Sequence, residues 1–104
     1  MNKEEISKAV LIYFDHHGRI PQKDIENKIV DTTSLTNSEI SELILGLEAS
    51  TQLAIYQIHK TFMGNPTIEK EKAKETMRHN LFYMNDDAFN ALYRFSEWCV
   101  AKGC

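Results

Sequence analysis

At 104 residues, 42 % of them hydrophobic, the chain has apolar material for one domain with a single core. No apolar run approaches the roughly 18 residues of a membrane span, and the amino terminus, MNKEEISKAV, lacks a signal-peptide pattern. The cytoplasm is the expected compartment, with no membrane partner. A formal charge of −3 fits a nucleic-acid binder poorly, so the distribution of charge matters more than its sum.

In chain order, the first expected helix runs from about Lys3 to His17. Asn2 can cap it, with Glu5 three positions on. Ile6, Val10 and Tyr13 make one stripe, but Ala9 to Phe14 (AVLIYF) is apolar on every side. Such a helix needs two burial surfaces: its own core and, by expectation, a second subunit. Gly18 stands where a left-handed C-cap is expected. After the extended Arg19-Ile20-Pro21, Gln22 to Val30 reads as a second helix with Ile25 and Ile29 inward.

The stretch from Leu35 to Ile58 organises the rest. Thr36-Asn37-Ser38-Glu39 fits a capping box, and Leu35 with Ile40 fits a hydrophobic staple. Ile40, Leu43, Ile44 and Leu47 recur at helical spacing. Leu53, Ile55 and Ile58 follow in a run rich in β-formers, so Leu53 to Lys60 reads as a hairpin strand with Leu81 to Met84 as its return. Asn85-Asp86-Asp87 then caps a last helix, about Ala88 to Ala101, apolar over more than half its circumference.

Between the expected strands, Met63-Gly64-Asn65-Pro66 is turn chemistry. Thr67 to His79 is polar and helix-prone, and reads either as a solvated helix or as a mobile wing tip. Inserts this long in a compact domain are often functional or disordered. The pieces add up to one α+β, mostly α domain over 1–104: a helix-turn-helix at about 20–50, a long wing at 53–84, and a C-terminal dimerisation helix at 86–101.

Four motifs carry a family resemblance: HGRIPQKDIENKIV, TNSEISELILGLEAS, QLAIYQI and FYMNDDAFNAL. In this order, from Glu5 to about Leu92, the chain resembles winged-helix transcription regulators of the PadR-like type. The last motif is similar to their strand-to-helix junction of tyrosine, leucine, threonine, an acidic residue and glycine. Two departures stand out. The inter-strand segment exceeds an ordinary wing, and Ala88 replaces the usual glycine. The resemblance implies a homodimer that binds double-stranded DNA and regulates transcription.

Charge complicates that expectation. Recognition helices usually present Arg, Lys, Asn or Gln to base edges, yet Thr36 to Leu53 holds Glu39, Glu42 and Glu48 and no basic residue. Asn37, Ser38 and Ser41, with Thr33 and Ser34 of the preceding turn, remain as candidate base or phosphate contacts. The wing segment supplies Lys60, Lys70, Lys72, Lys74 and Arg78, five cations against Glu69, Glu71 and Glu75. Phosphate attraction, which dominates non-specific affinity, is therefore expected from that arm. An ordinary exposed helix with Glu–Lys pairs at i,i+3 spacing would look the same.

Enzymatic chemistry is not expected. Asp15-His16-His17 is similar to the signature of the DHH phosphoesterases, but those enzymes need further Asp and His motifs and a much longer chain. A helix end with imidazole near its negative dipole is the plainer explanation. Cys99 lies on a mostly apolar face and reads as a small hydrophobe. Cys99 and Cys104 make no disulfide framework, and no Cys/His cluster has zinc-site spacing. Neither metal nor cofactor is expected.

Two function classes stay open. One is a homodimeric DNA-binding regulator. The other is an interaction module whose acidic third helix contacts a protein or imitates DNA charge. The dimer interface is expected on the last helix, through Phe89, Leu92, Tyr93, Phe95 and Trp98, with Val10 and Phe14 of the first helix beside it.

Overall fold

Among the described residues the chain forms α1 (Lys3–His16), α2 (Gln22–Thr32), α3 (Asn37–Thr61), α4 (Pro66–Asn80) and α5 (Asp86–Lys102). The computed structural model describes residues 2–61 and 66–102, and their side chains except at 61 and 66–70. Met63 to Asn65 of the expected wing turn therefore lie outside the described residues. Among the described residues there is no strand, and no helix is long and apolar enough to cross a membrane.

The α+β winged-helix expectation is thus overturned. Leu53 to Lys60 is the second half of α3, and Leu81 to Met84 is a turn closed by Leu81 N–H on the Met77 carbonyl at 2.9 Å. The reason lies in the spacing. Leu47, Thr51, Ala54 and Ile58 are all buried, and they continue the i, i+4, i+7, i+11 register of one helix face. Glu48-Ala49-Ser50-Thr51 contains no Gly, Pro, Asn or Asp to stop it. Leu53, which a strand would have used as a core residue, is 65 % exposed.

The local signals elsewhere hold. The Asn2 side chain accepts the Glu4 N–H at 2.8 Å. Gly18 adopts φ +79° just beyond α1, a left-handed position that glycine takes without Cβ strain. Glu5 reaches past Asn2 and accepts the Ser34 N–H at 2.9 Å, which pins α1 to the α2–α3 turn. The capping box closes both ways: Thr36 N–H on Glu39 Oε1 at 3.0 Å, Glu39 N–H on Thr36 Oγ1 at 3.2 Å. Leu35 and Ile40, the staple pair, are both buried. The Asn85 side chain accepts the Ala88 N–H at 2.9 Å, so α5 starts two residues earlier than expected.

At 1.5 Å rise per residue α3 is about 37 Å long and sets the long axis of a 44 × 26 × 18 Å molecule. α1, α2, α4 and α5 all pack on it, and α5 also lies along α1. Val10, Ile25, Ile29, Ile40, Leu47, Met84 and Leu92 are the most deeply buried apolar side chains. The second burial surface expected for α1 and α5 is therefore supplied largely inside the chain. Val10, Phe89, Leu92 and Tyr93 belong to the core, which removes them from any accessible dimer interface.

Candidate functional site

The residues expected to touch DNA fall into two groups that the fold holds apart. At the amino end of α3, Asn37, Ser38 and Ser41 are exposed. The turn before them is already engaged. The Thr33 hydroxyl donates to the Ile29 carbonyl at 2.8 Å, and the Ser34 N–H is held by Glu5. Lys60 is exposed at the other end of α3, about 35 Å from Asn37 at 1.5 Å per residue.

The basic segment is an ordered helix over its described part, not a wing. α4 returns along α3, with Ala73, Thr76 and Met77 facing Leu53, Ala54 and Gln57. Its cations are partly committed. The Lys74 ammonium sits 4.8 Å above the Tyr93 ring. Arg78 binds Asp86 Oδ1 through Nε at 2.9 Å and Nη2 at 2.8 Å, reaches the Leu81 carbonyl at 3.1 Å, and covers the Phe89 ring. The Lys70 side chain lies outside the described ones. Among the described cations of α4, Lys72 and Lys74 are exposed and Arg78 is half-buried.

Among the polar residues that α3 shows to solvent stand three large apolar side chains. Leu45, Leu53 and Tyr56 are 67 %, 65 % and 61 % exposed, and at about 100° per residue they fall within about 80° of arc. Glu42 and Glu48 are exposed on the same helix. Beside Leu53 lies a slot of about 290 Å³ between α3 and α4, floored by Ala54, Ala73 and Met77. The sequence did carry a signal for the ridge: Leu45 falls off the buried stripe of Ile40, Leu43, Ile44 and Leu47. Leu53 and Tyr56 were hidden by the strand assignment.

A second apolar region joins the ends of α1 and α5. Trp98 is 54 % exposed, with Phe14 and Phe95 partly buried next to it. Of the expected dimer residues, these three alone reach the surface. Tyr13, buried beneath, has its hydroxyl pushed above the usual range, first by burial and then by the Glu48 carboxylate. His17, from the Asp15-His16-His17 triplet, stacks on Tyr13 with ring centroids 4.8 Å apart. No three His, Cys, Asp or Glu side chains converge as a metal site among the described residues, and Cys99 is buried.

No family model, no curated protein and no solved structure matches the chain. The PadR-like resemblance therefore stands on its four motifs alone, two of which rest on strands that are helix and turn.

Proposed function

We propose that the chain is a non-catalytic, cytoplasmic protein-interaction module that takes an amphipathic segment of a partner protein on the exposed side of α3. The observation that carries this reading is the ridge of Leu45, Leu53 and Tyr56, each more than 60 % exposed. Apolar side chains grouped on one exposed helix face, rather than scattered singly, are the pattern of a contact surface. Partner chemistry follows from what flanks the ridge. Glu42 and Glu48 favour Lys or Arg beside the partner's apolar anchors, and the slot next to Leu53 has room for one large apolar side chain.

A second reading, a transcription regulator on double-stranded DNA, is supported by the short α2–α3 turn and by exposed Asn37, Ser38 and Ser41 at the start of α3. Base contacts are commonly made from that position of a recognition helix. Against it stand the exposed carboxylates on the same helix and the engagement of Lys74 and Arg78.

The test pairs a displayed peptide library with a random-sequence DNA duplex. The interaction reading expects enriched peptides with apolar residues at helical spacing flanked by Lys or Arg, lost when Leu53→Lys and Tyr56→Lys are combined. Saturable duplex binding that weakens steeply with salt, without such peptides, would transfer the function to DNA.

A further inference from the structure

The carboxyl end of α1 and the outer face of α5 meet in an aromatic ridge. His17 stands edge-on to Phe95 at 5.3 Å between ring centroids, and Phe95 continues to Phe14 at 5.4 Å and to Trp98 at 6.2 Å. A groove runs on each side of His17 and Phe95. The groove between α1 and α5 carries Arg19, Arg94 and Asp15 beside Phe14 and Trp98. The groove between α3 and α5 carries Glu48 with Leu45, Gln52 and Ile55. Arg19, Arg94 and Glu48 are all exposed.

The two sides therefore differ in charge. Two cations against one carboxylate stand on one side of the ridge, and a carboxylate stands on the other. An acidic partner lying across the ridge would meet Arg19 and Arg94 but be repelled by Glu48. A basic partner would meet the reverse. A surface related to itself by a two-fold rotation satisfies both sides at once, because each end of the patch faces the opposite end of its copy. Of the seventeen residues that line the two grooves, all but Tyr13, Thr51 and Cys99 reach the surface, a patch somewhat smaller than the roughly 20–30 residues a side of a standard interface. An aromatic centre with arginine beside it is also the composition of residues that dominate interface energy.

We infer that a second copy of this chain covers this face, related by a two-fold axis near His17 and Phe95, so that Arg94 of each protomer meets the partner subunit's Glu48. Trp98 and Phe95 fill the centre. The pairing does not rest on the partner-binding reading of α3. Leu45 and Glu48 are common to both surfaces, while Leu53, Tyr56 and Glu42 lie outside the two grooves and stay open for another protein.

Charge reversal tests this directly by sedimentation equilibrium at micromolar concentration. The unaltered chain sediments at twice its 12.0 kDa mass. Glu48→Arg alone and Arg94→Glu alone each weaken the dimer at least about tenfold, since each places like charges at both symmetric contacts. An equimolar mixture of the two variants recovers the dimer, because both of its contacts are again Arg with Glu. Thermal melting of each variant confirms that these exposed changes leave the fold intact. A monomeric unaltered chain overturns the proposal, as do single variants that dimerise normally or a mixture that does not recover. The Leu53→Lys, Tyr56→Lys chain keeps the dimer mass, so loss of peptide binding and loss of self-pairing are read separately.

Discussion

The Ser7 hydroxyl accepts the backbone N–H of Asn85 at 2.8 Å while donating its own proton to the Lys3 carbonyl at 2.7 Å. Ser7 is 1 % exposed, and the bond joins the first helix to the residue that caps the last. The Asn85 side chain is then free to accept the Ala88 N–H. One buried hydroxyl thus fixes where α5 begins and how it lies on α1.

Ser7→Ala should therefore destabilise the protein by about 1 kcal/mol or somewhat more, the cost of leaving a part-buried N–H without its acceptor. In a domain of this size each kcal/mol lowers the melting temperature by about 4–8 °C. A calorimetric melt checks it. An unchanged melting temperature would mean that water or a shifted side chain replaces the hydroxyl.

The two described glycines in defined positions make opposite predictions. At Gly46, in the exposed middle of α3, an added Cβ meets nothing within 4 Å. Gly46→Ala should stabilise by up to about 1 kcal/mol through helix propensity alone. Gly18 also has open space around it but holds φ +79°. Gly18→Ala should cost about 1–2 kcal/mol, because a side chain strains that backbone. Denaturant midpoints moving in the same direction for both would contradict the assignment.

Much of the helical frame was legible from residues that act locally. Asn2, Thr36 with Glu39, Asn85 and Gly18 each announced a helix boundary, because a cap needs only its own few neighbours. The strand expected over Leu53 to Lys60 had a different source. β-branched and aromatic residues suit strands only when packing agrees, and here Thr51, Ala54 and Ile58 pack with Leu47 on one helix face. That Val10, Phe89, Leu92 and Tyr93 belong to the core has a related reason. Val10 and Leu92 look surplus to a small core only when α1 and α5 are considered without the long α3 that covers them. For the DNA contacts, the sequence could count Lys74 and Arg78 but not show that Tyr93, Phe89 and Asp86 hold them.

The capping box also makes stability depend on pH. The Glu39 carboxyl is held below its usual value of 4.5, chiefly by the Thr36 backbone N–H and then by the Thr36 side chain. A carboxyl whose value is lower in the folded chain contributes stability that is present above the unfolded value. That stability is lost as pH falls through the folded value. Glu39→Gln should therefore lower the melting temperature at neutral pH, with the gap from the unaltered chain narrowing below pH 4.5. A gap that stays constant through that acid range would show that the Glu39 charge contributes nothing to the cap.

The continuity of α3 is open to a sharper test at Ser50. In the helix, the residues around it are buried at helical spacing at Leu47, Thr51 and Ala54, and its backbone N–H belongs to the hydrogen-bond ladder of α3. Proline there removes one ladder bond and forces its ring against the preceding turn, a cost of about 3 kcal/mol or more. Had the chain turned at Glu48–Thr51 into a hairpin, the same proline would occupy a connecting segment and be tolerated. Ser50→Pro is thus expected to reduce far-ultraviolet helical signal and to lower the denaturation midpoint well beyond the effect of Ser50→Ala. Because α1, α2, α4 and α5 all pack on α3, a break at Ser50 should loosen both ends of the molecule in one transition. If Ser50→Pro melts like Ser50→Ala, α3 does not pass unbroken through this point.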